Sequence, residues 1–274
     1  MVKRYNSYLP DLKESWTLVA FLIIGGSLLS GLITLITKLI FPSLTGWVEI
    51  IAYPLIFIPP YLWMRFSMKL SEKTESVPVK KPGFGRLGVT LSFILIFPLV
   101  FAFNLIIEPL SMWMGMPEFM KELMRTFSEN RISSLIMLVV FAPVLEEVFC
   151  RGIILRGLLK HYSPMKAILW SAAFFGIIHM NPWQAIPAFL IGVLMGWIYW
   201  RTRSLWTTIF IHFINNGFAY IITVFFPNLP DDATYYDIIP GVYYYIAFIA
   251  ALIYTISILI IMNKLYDKPL SNKI

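Results

Sequence analysis

The sequence predicts an all-α fold, a polytopic bundle of about eight transmembrane helices that forms a single membrane domain over 1–274. Three observations predict it. Hydrophobic residues make up 58% of the chain and charged residues only 14%, where soluble domains carry about 25% charged residues. The apolar residues fall into runs close to the roughly 20 that a helix needs to cross a bilayer core. The basic residues gather in alternate connections between those runs. The same composition excludes a disordered tail and a disulfide-stapled secreted domain, because Cys150 is the only cysteine. A net charge of +7 would suggest a nucleic-acid partner in a soluble chain. Here the bilayer accounts for the basic residues, and no nucleic-acid partner is expected.

The expected spans are 16–37, 47–64, 87–107, 132–150, 164–180, 182–200, 204–226 and 240–263. The first is longer than the core of a signal peptide and lacks a small-x-small cleavage site, so it reads as a permanent span. The second and fifth are interrupted by Glu49 and Lys166. The connection 65–86, with Lys73, Lys80, Lys81 and Pro82, reads as a flexible basic anchor near lipid headgroups. Between the third and fourth spans, Met116, Phe119, Met120, Leu123, Met124 and Phe127 recur at helical spacing opposite Glu118, Lys121, Glu122 and Arg125. That pattern predicts an interfacial amphipathic helix over 116–127.

Eight crossings leave both termini on one side. The N-terminus, 65–86, 151–166, 201–203 and the C-terminus hold 18 of the 22 lysines and arginines. The positive-inside rule then places both termini in the cytoplasm, with the acidic loop of Asp231, Asp232 and Asp237 outside.

An ionisable side chain inside a span costs about 2.5–3.5 kcal/mol on insertion scales and marks a candidate site. Three spans carry such groups, within 141–151, 174–179 and 212–216. Glu147 and Arg151 stand four apart on one helix face and can neutralise each other. Glu146, about 100° around the helix, is the freer carboxylate and a candidate general base. If the fourth helix continues through 160 and the chain reverses at 161–163, Glu146 and His179 lie at one level, about 25 Å from the turn. His212 and Asn216 are four apart and could together donate hydrogen bonds to a developing oxyanion. Buried helix-stapling by Glu146, Glu147 and Arg151, and polar glue by His212 and Asn216, are the bland alternatives. His161 falls in the turn and reads as solvated.

Glu146-Glu147-x-x-x-Arg151, Phe175-x-x-x-His179 and His212-x-x-x-Asn216, in that order on separate spans, resemble the CAAX prenyl proteases type II and bacteriocin-processing enzymes, also called Abi proteins. The resemblance covers roughly 130–220. It implies an intramembrane endopeptidase in which Glu146, assisted by His179, activates water. His212 and Asn216 would form the oxyanion hole, while Glu147 and Arg151 organise the site. The implied partners are the bilayer and a peptide or lipidated protein, including prenylated C-terminal tails. No cofactor is favoured. Zinc held by Glu146, His179 and His212 is the alternative, disfavoured because no two histidines share one helix at ligand spacing. The site is expected to open toward the cytoplasm. A proton- or ion-coupled transporter and a non-catalytic immunity or scaffold protein are the other function classes, and a cysteine protease built on Cys150 leaves the polar clusters unexplained.

Overall fold

The computed structural model describes residues 4–70, 75–78, 82–226, 228–230 and 233–267. Lys73, Lys80, Lys81, Asp231 and Asp232, assigned above to loops, lie outside the described residues, as does the side chain of Phe127. The chain forms ten helices among the described residues: α1 (Leu12–Ile40), α2 (Pro42–Lys69), α3 (Val89–Met114), α4 (Glu118–Glu129), α5 (Arg131–His161), α6 (Pro164–Ile177), α7 (Pro182–Thr202), α8 (Leu205–Phe225), α9 (Tyr235–Ile238) and α10 (Val242–Leu265). A short antiparallel ribbon pairs β1 (Arg4–Ser7) with β2 (Glu75–Pro78).

Seven of these helices are long and apolar enough to cross a membrane, one fewer than expected. The exception is α6, whose 14 residues extend only about 21 Å. The apolar run continues to residue 180, but the helix stops earlier for local reasons. Met180 takes a left-handed conformation at φ 57°. Asn181 then caps the next helix by accepting from the Gln184 N–H, and Pro182 occupies its first position. The chain therefore reverses inside the bundle. Helices α6 and α7 pack antiparallel at very close range. A Cβ on Gly192 would lie 3.2 Å from that of Ala172, and one on Gly176 would meet the Ala185 carbonyl at 2.7 Å.

Since α7 returns the chain to the end where α6 began, the missing span leaves the relation of the two termini unchanged. One end of the bundle collects the N-terminal segment, β2, the α5–α6 turn, the end of α7 and the end of α10. His161 Nε2 lies 3.2 Å from the Leu9 carbonyl, the Gly83 N–H donates to the Thr202 carbonyl at 2.8 Å, and Arg201 donates to the Asn263 carbonyl at 2.7 Å. These are the segments in which the basic residues concentrate. Arg151 is an exception to that grouping: it is fully buried within α5 and pairs with Glu147.

Two local irregularities shape the centre. Pro143 cannot donate to the preceding turn, and α5 answers with π-helical turns over Leu135–Phe141 and Val148–Leu155 around a regular α turn, Ala142–Glu147. Such insertions recur at functional sites. In α2, Pro59 and Pro60 remove two successive donors, and the helix breaks after Leu55 before resuming at Ile58. Gly26, in a π-helical stretch of α1, packs on that break: an added Cβ would lie 2.6 Å from the Ile56 carbonyl oxygen.

The predicted amphipathic helix is present as α4, with Met120 buried and Phe119 half exposed. Met116 and Met124 face a cavity rather than lipid alone.

Candidate active site

The regular turn of α5 presents Glu146 and Glu147 to different neighbours. Glu147 is wholly buried, and its Oε1 accepts from the Arg151 guanidinium at 2.6 Å. Arg151 also donates to the Gly192 carbonyl at 3.1 Å and lies 4.4 Å above the Phe175 ring. A charged pair this deep depends on further hydrogen bonds: the Gly192 carbonyl and His212 engage it, while Glu147 Oε2 and Arg151 Nε are buried without a partner. Glu147 Oε1 also lies 3.2 Å from His212 Nδ1, which makes that nitrogen the donor and turns Nε2 toward Glu146. His212 Nε2 is 4.0 Å from Glu146 Oε2. His212 thus stands between the two glutamates.

Glu146 has one engaged oxygen. Its Oε1 accepts from the Tyr53 hydroxyl, while Oε2 is buried and makes no hydrogen bond. Glu146, Tyr53, His179 and Met180 line a cavity of about 90 Å³ together with Ser27 and apolar side chains from α1 and α2. That volume and its polar groups suffice for water. His179 Nδ1 donates to the Phe175 carbonyl at 2.7 Å, leaving Nε2 as the ring nitrogen free for another partner. The Phe175 ring meets His179 edge-on at 5.2 Å and His212 at 5.5 Å. It therefore orients both imidazoles as well as the guanidinium.

Glu146, Glu147, Arg151, His179 and His212 are accordingly gathered around one cavity and one aromatic ring. Asn216 is engaged on two sides: its amide donates to the Leu138 carbonyl at 3.0 Å, and its oxygen accepts from Asn215 at 3.2 Å. One N–H of that amide has no role in the Leu138 bond. Asn215 in turn accepts from Asn104 on α3 at 3.0 Å.

Tyr53 and Asn104 were not legible as site residues. No spacing rule links Tyr53 to a glutamate 93 positions away; the proline-broken helix beside it was the only local signal.

Among the described residues no three His, Cys, Asp or Glu side chains converge as ligands. His212 presents its two nitrogens to two different carboxylates, and His179 spends one on a backbone carbonyl. Cys150 is fully buried and lines neither of the cavities that reach the polar cluster.

Toward the basic end Ile154, Leu155, Leu158, Ile168, Met195 and Ile198 are packed, all at most 2% exposed, and a cavity of about 250 Å³ lies beside them between Leu18 of α1, Tyr61 and Met64 of α2 and Ile153 of α5. A cavity of about 610 Å³ opens at the other end, between α3, α4, α7, α8 and α9, and reaches inward to Asn104 and Asn215.

Residues 128–218 match the family model described as type II CAAX prenyl endopeptidase, Rce1-like. A Bacillus subtilis (strain 168) protein named "Putative membrane peptidase YdiL" is 31% identical over 83 residues, which is 30% of this chain and 34% of that protein. The match therefore spans about a third of the relative's length. No solved structure matches the chain. The matched segment holds every polar residue of the cluster on α5 to α8, so this multi-pass membrane protein is similar to the type II CAAX prenyl endopeptidases over the third of its length that carries that cluster.

Proposed function

We propose that the chain is an intramembrane endopeptidase that hydrolyses a peptide bond of a membrane-associated substrate with water activated by Glu146. The observation that carries this reading is the buried Oε2 of Glu146, which makes no hydrogen bond and lies 4.0 Å from His212 Nε2, in a residue that with His179 lines a water-sized cavity. The carboxylate removes a proton from water through Oε2, while the Tyr53 hydroxyl holds Oε1. His179 Nε2 accepts a hydrogen bond from the same water and fixes its lone pair toward the scissile carbonyl. As water oxygen bonds to the carbonyl carbon, negative charge builds on the carbonyl oxygen. The His212 ring, oriented by Glu147, and the second amide N–H of Asn216 donate to it. Glu146 then passes its proton to the leaving nitrogen as the C–N bond breaks. Glu147 and Arg151 act one step back, by orienting His212. In this reading both termini are cytoplasmic, no metal takes part, and prenylated tails are one substrate class among several.

The test compares wild-type protein with Glu146→Gln on membranes from cells expressing the inactive variant, reading newly formed peptide termini by mass spectrometry. Wild type should create termini that Glu146→Gln does not, with both proteins equally folded. Identical termini from both would end the reading. Wild-type protein stripped of metal should cleave as before, and activity that returned only with zinc would replace the glutamate mechanism.

A further inference from the structure

The large cavity at the end away from the basic loops has no part in the chemistry just described. Its walls are apolar, with Met112, Met116, Met124, Trp183, Phe218 and Ile222 prominent among them. Its charged members are acidic. Glu108 and Asp237 line it, and no described lining residue is Lys, Arg or His. Glu108 is 7% exposed; its Oε1 accepts from the Tyr235 N–H, and the Tyr244 hydroxyl is a neighbour of its carboxylate. Asp237 is held below the ordinary carboxylate range by the Thr234 N–H and hydroxyl, so it is charged at neutral pH. The inner end of the cavity is Asn215, three residues and about 4.5 Å of helix rise from His212. The cavity is far larger than the one beside Glu146 and has the size of a site for a small ligand or a few side chains.

We infer that this cavity receives the substrate, and that it selects a peptide segment with a positively charged residue flanked by apolar ones. The cation sits against Glu108 and Asp237, and the apolar neighbours lie on the methionine-rich wall contributed by α3 and α4. Methionines adapt to varied side chains, so charge, not shape, supplies the selection. The inference rests on the proteolytic reading for the fate of the bound segment, but binding can be read without turnover.

Two amidated, fluorophore-labelled peptides, Leu-Leu-Lys-Leu-Leu and its norleucine counterpart at the third position, are titrated by anisotropy into detergent-solubilised Glu146→Gln protein. The lysine peptide should bind at least tenfold more tightly. Adding Glu108→Gln and Asp237→Asn should abolish that preference, so that the two peptides bind with equal affinity. Ala219→Trp, which fills the cavity from α8, should weaken both peptides. Equal affinities at the outset, or a preference that survives the two acidic substitutions, would overturn the inference. So would displacement of the lysine peptide by phosphatidylethanolamine nanodiscs but not phosphatidylcholine nanodiscs, which would assign the cavity to an aminolipid. Selective binding with no cleavage by wild type would leave the cavity's selectivity standing and remove the proteolytic reading alone.

Discussion

The two halves of this bundle are built to opposite specifications. Toward the basic end, Ile191, Gly192, Leu194, Met195, Gly196, Ile198 and Tyr199 of α7 are all buried, against α5 and α6 packed at glycine distances. In the first two turns of the same helix only Ala188 is buried, while Trp183 and Pro187 border the large cavity. Helix α8 repeats the contrast: Thr207, Thr208, Ile211 and His212 are buried near its start, and beyond them only Tyr220 and Val224. Close packing stabilises by dispersion and area removed from lipid or water, and a hollow forfeits both. The polar cluster lies at the boundary, fixed from one side and accessible from the other. Stability should therefore be sensitive to substitution in the packed half, and binding to substitution in the hollow half.

The largest effect belongs to the buried pair. Arg151→Met removes the guanidinium that Glu147 accepts from at 2.6 Å, and breaking a buried ion pair typically costs about 3–5 kcal/mol. Thermal unfolding in detergent should show a loss of that order. Glu147→Gln combined with Arg151→Met should recover part of it, because no unpaired charge then remains. A single substitution as stable as wild type would mean that Arg151 finds another partner and that the packed half is softer than its burial implies.

The comparison sharpens with matched insertions. Gly192→Leu drives a side chain into Ala172, where even a Cβ would lie at 3.2 Å, and overpacking of this kind costs about 1–3 kcal/mol. Ala219→Leu points into the large cavity and should change stability by less than about 0.5 kcal/mol. Equal melting shifts for the two would contradict the contrast between the halves.

What was readable in the sequence followed the same division. The Glu147–Arg151 pair was visible because four residues bring two side chains onto one helix face, and the common level of Glu146 and His179 followed from counting residues to the turn at 161–163. Helix geometry governs the packed half, so local spacing suffices there. The reversal at His179–Pro182 was misread as the end of an eighth span, since hydropathy continues through Met180. Asn181-Pro182 is an ordinary helix-start signal, but apolar run length outweighed it. The expectation that His212 and Asn216 aim together assumed that shared phase decides orientation. Asn216 instead takes the Leu138 carbonyl on α5, a tertiary partner no spacing encodes. Tyr53 and the large cavity depend on how α2, α3, α4 and α9 meet the core, and nothing local in the sequence fixes that.

Tyr53 tests the boundary itself. Tyr53→Phe keeps the ring, 6.0 Å from Phe57, and deletes the hydroxyl that donates to Glu146. Hydrogen bonds to charged groups contribute about 1.5–3 kcal/mol, but Glu146 keeps water as a substitute partner in its cavity. Turnover should fall by roughly tenfold, equivalent to about 1.4 kcal/mol, with little change in KM, because the base is loosened and the substrate cavity is untouched. A rise in KM at constant turnover would relocate Tyr53 to substrate binding.

The smallest effect lies at the rim of the hollow half. Asp237 Oδ2 accepts from the Thr234 N–H at 2.9 Å and its hydroxyl at 2.8 Å, closing a capping box on α9. These donors hold its carboxyl below the ordinary range. A depressed folded value means that the cap's contribution is fully present above the ordinary aspartate pKa and is lost as pH falls through the lowered one. Amide exchange over 233–238 should consequently accelerate only in acid below about pH 4, and Asp237→Asn should accelerate it at neutral pH as well. Exchange in α7 from Ile191 to Thr202 should not change in either case, because that segment belongs to the closed half. A coupled change there would mean that the two halves unfold as one unit, and the contrast between packed and hollow halves would be lost.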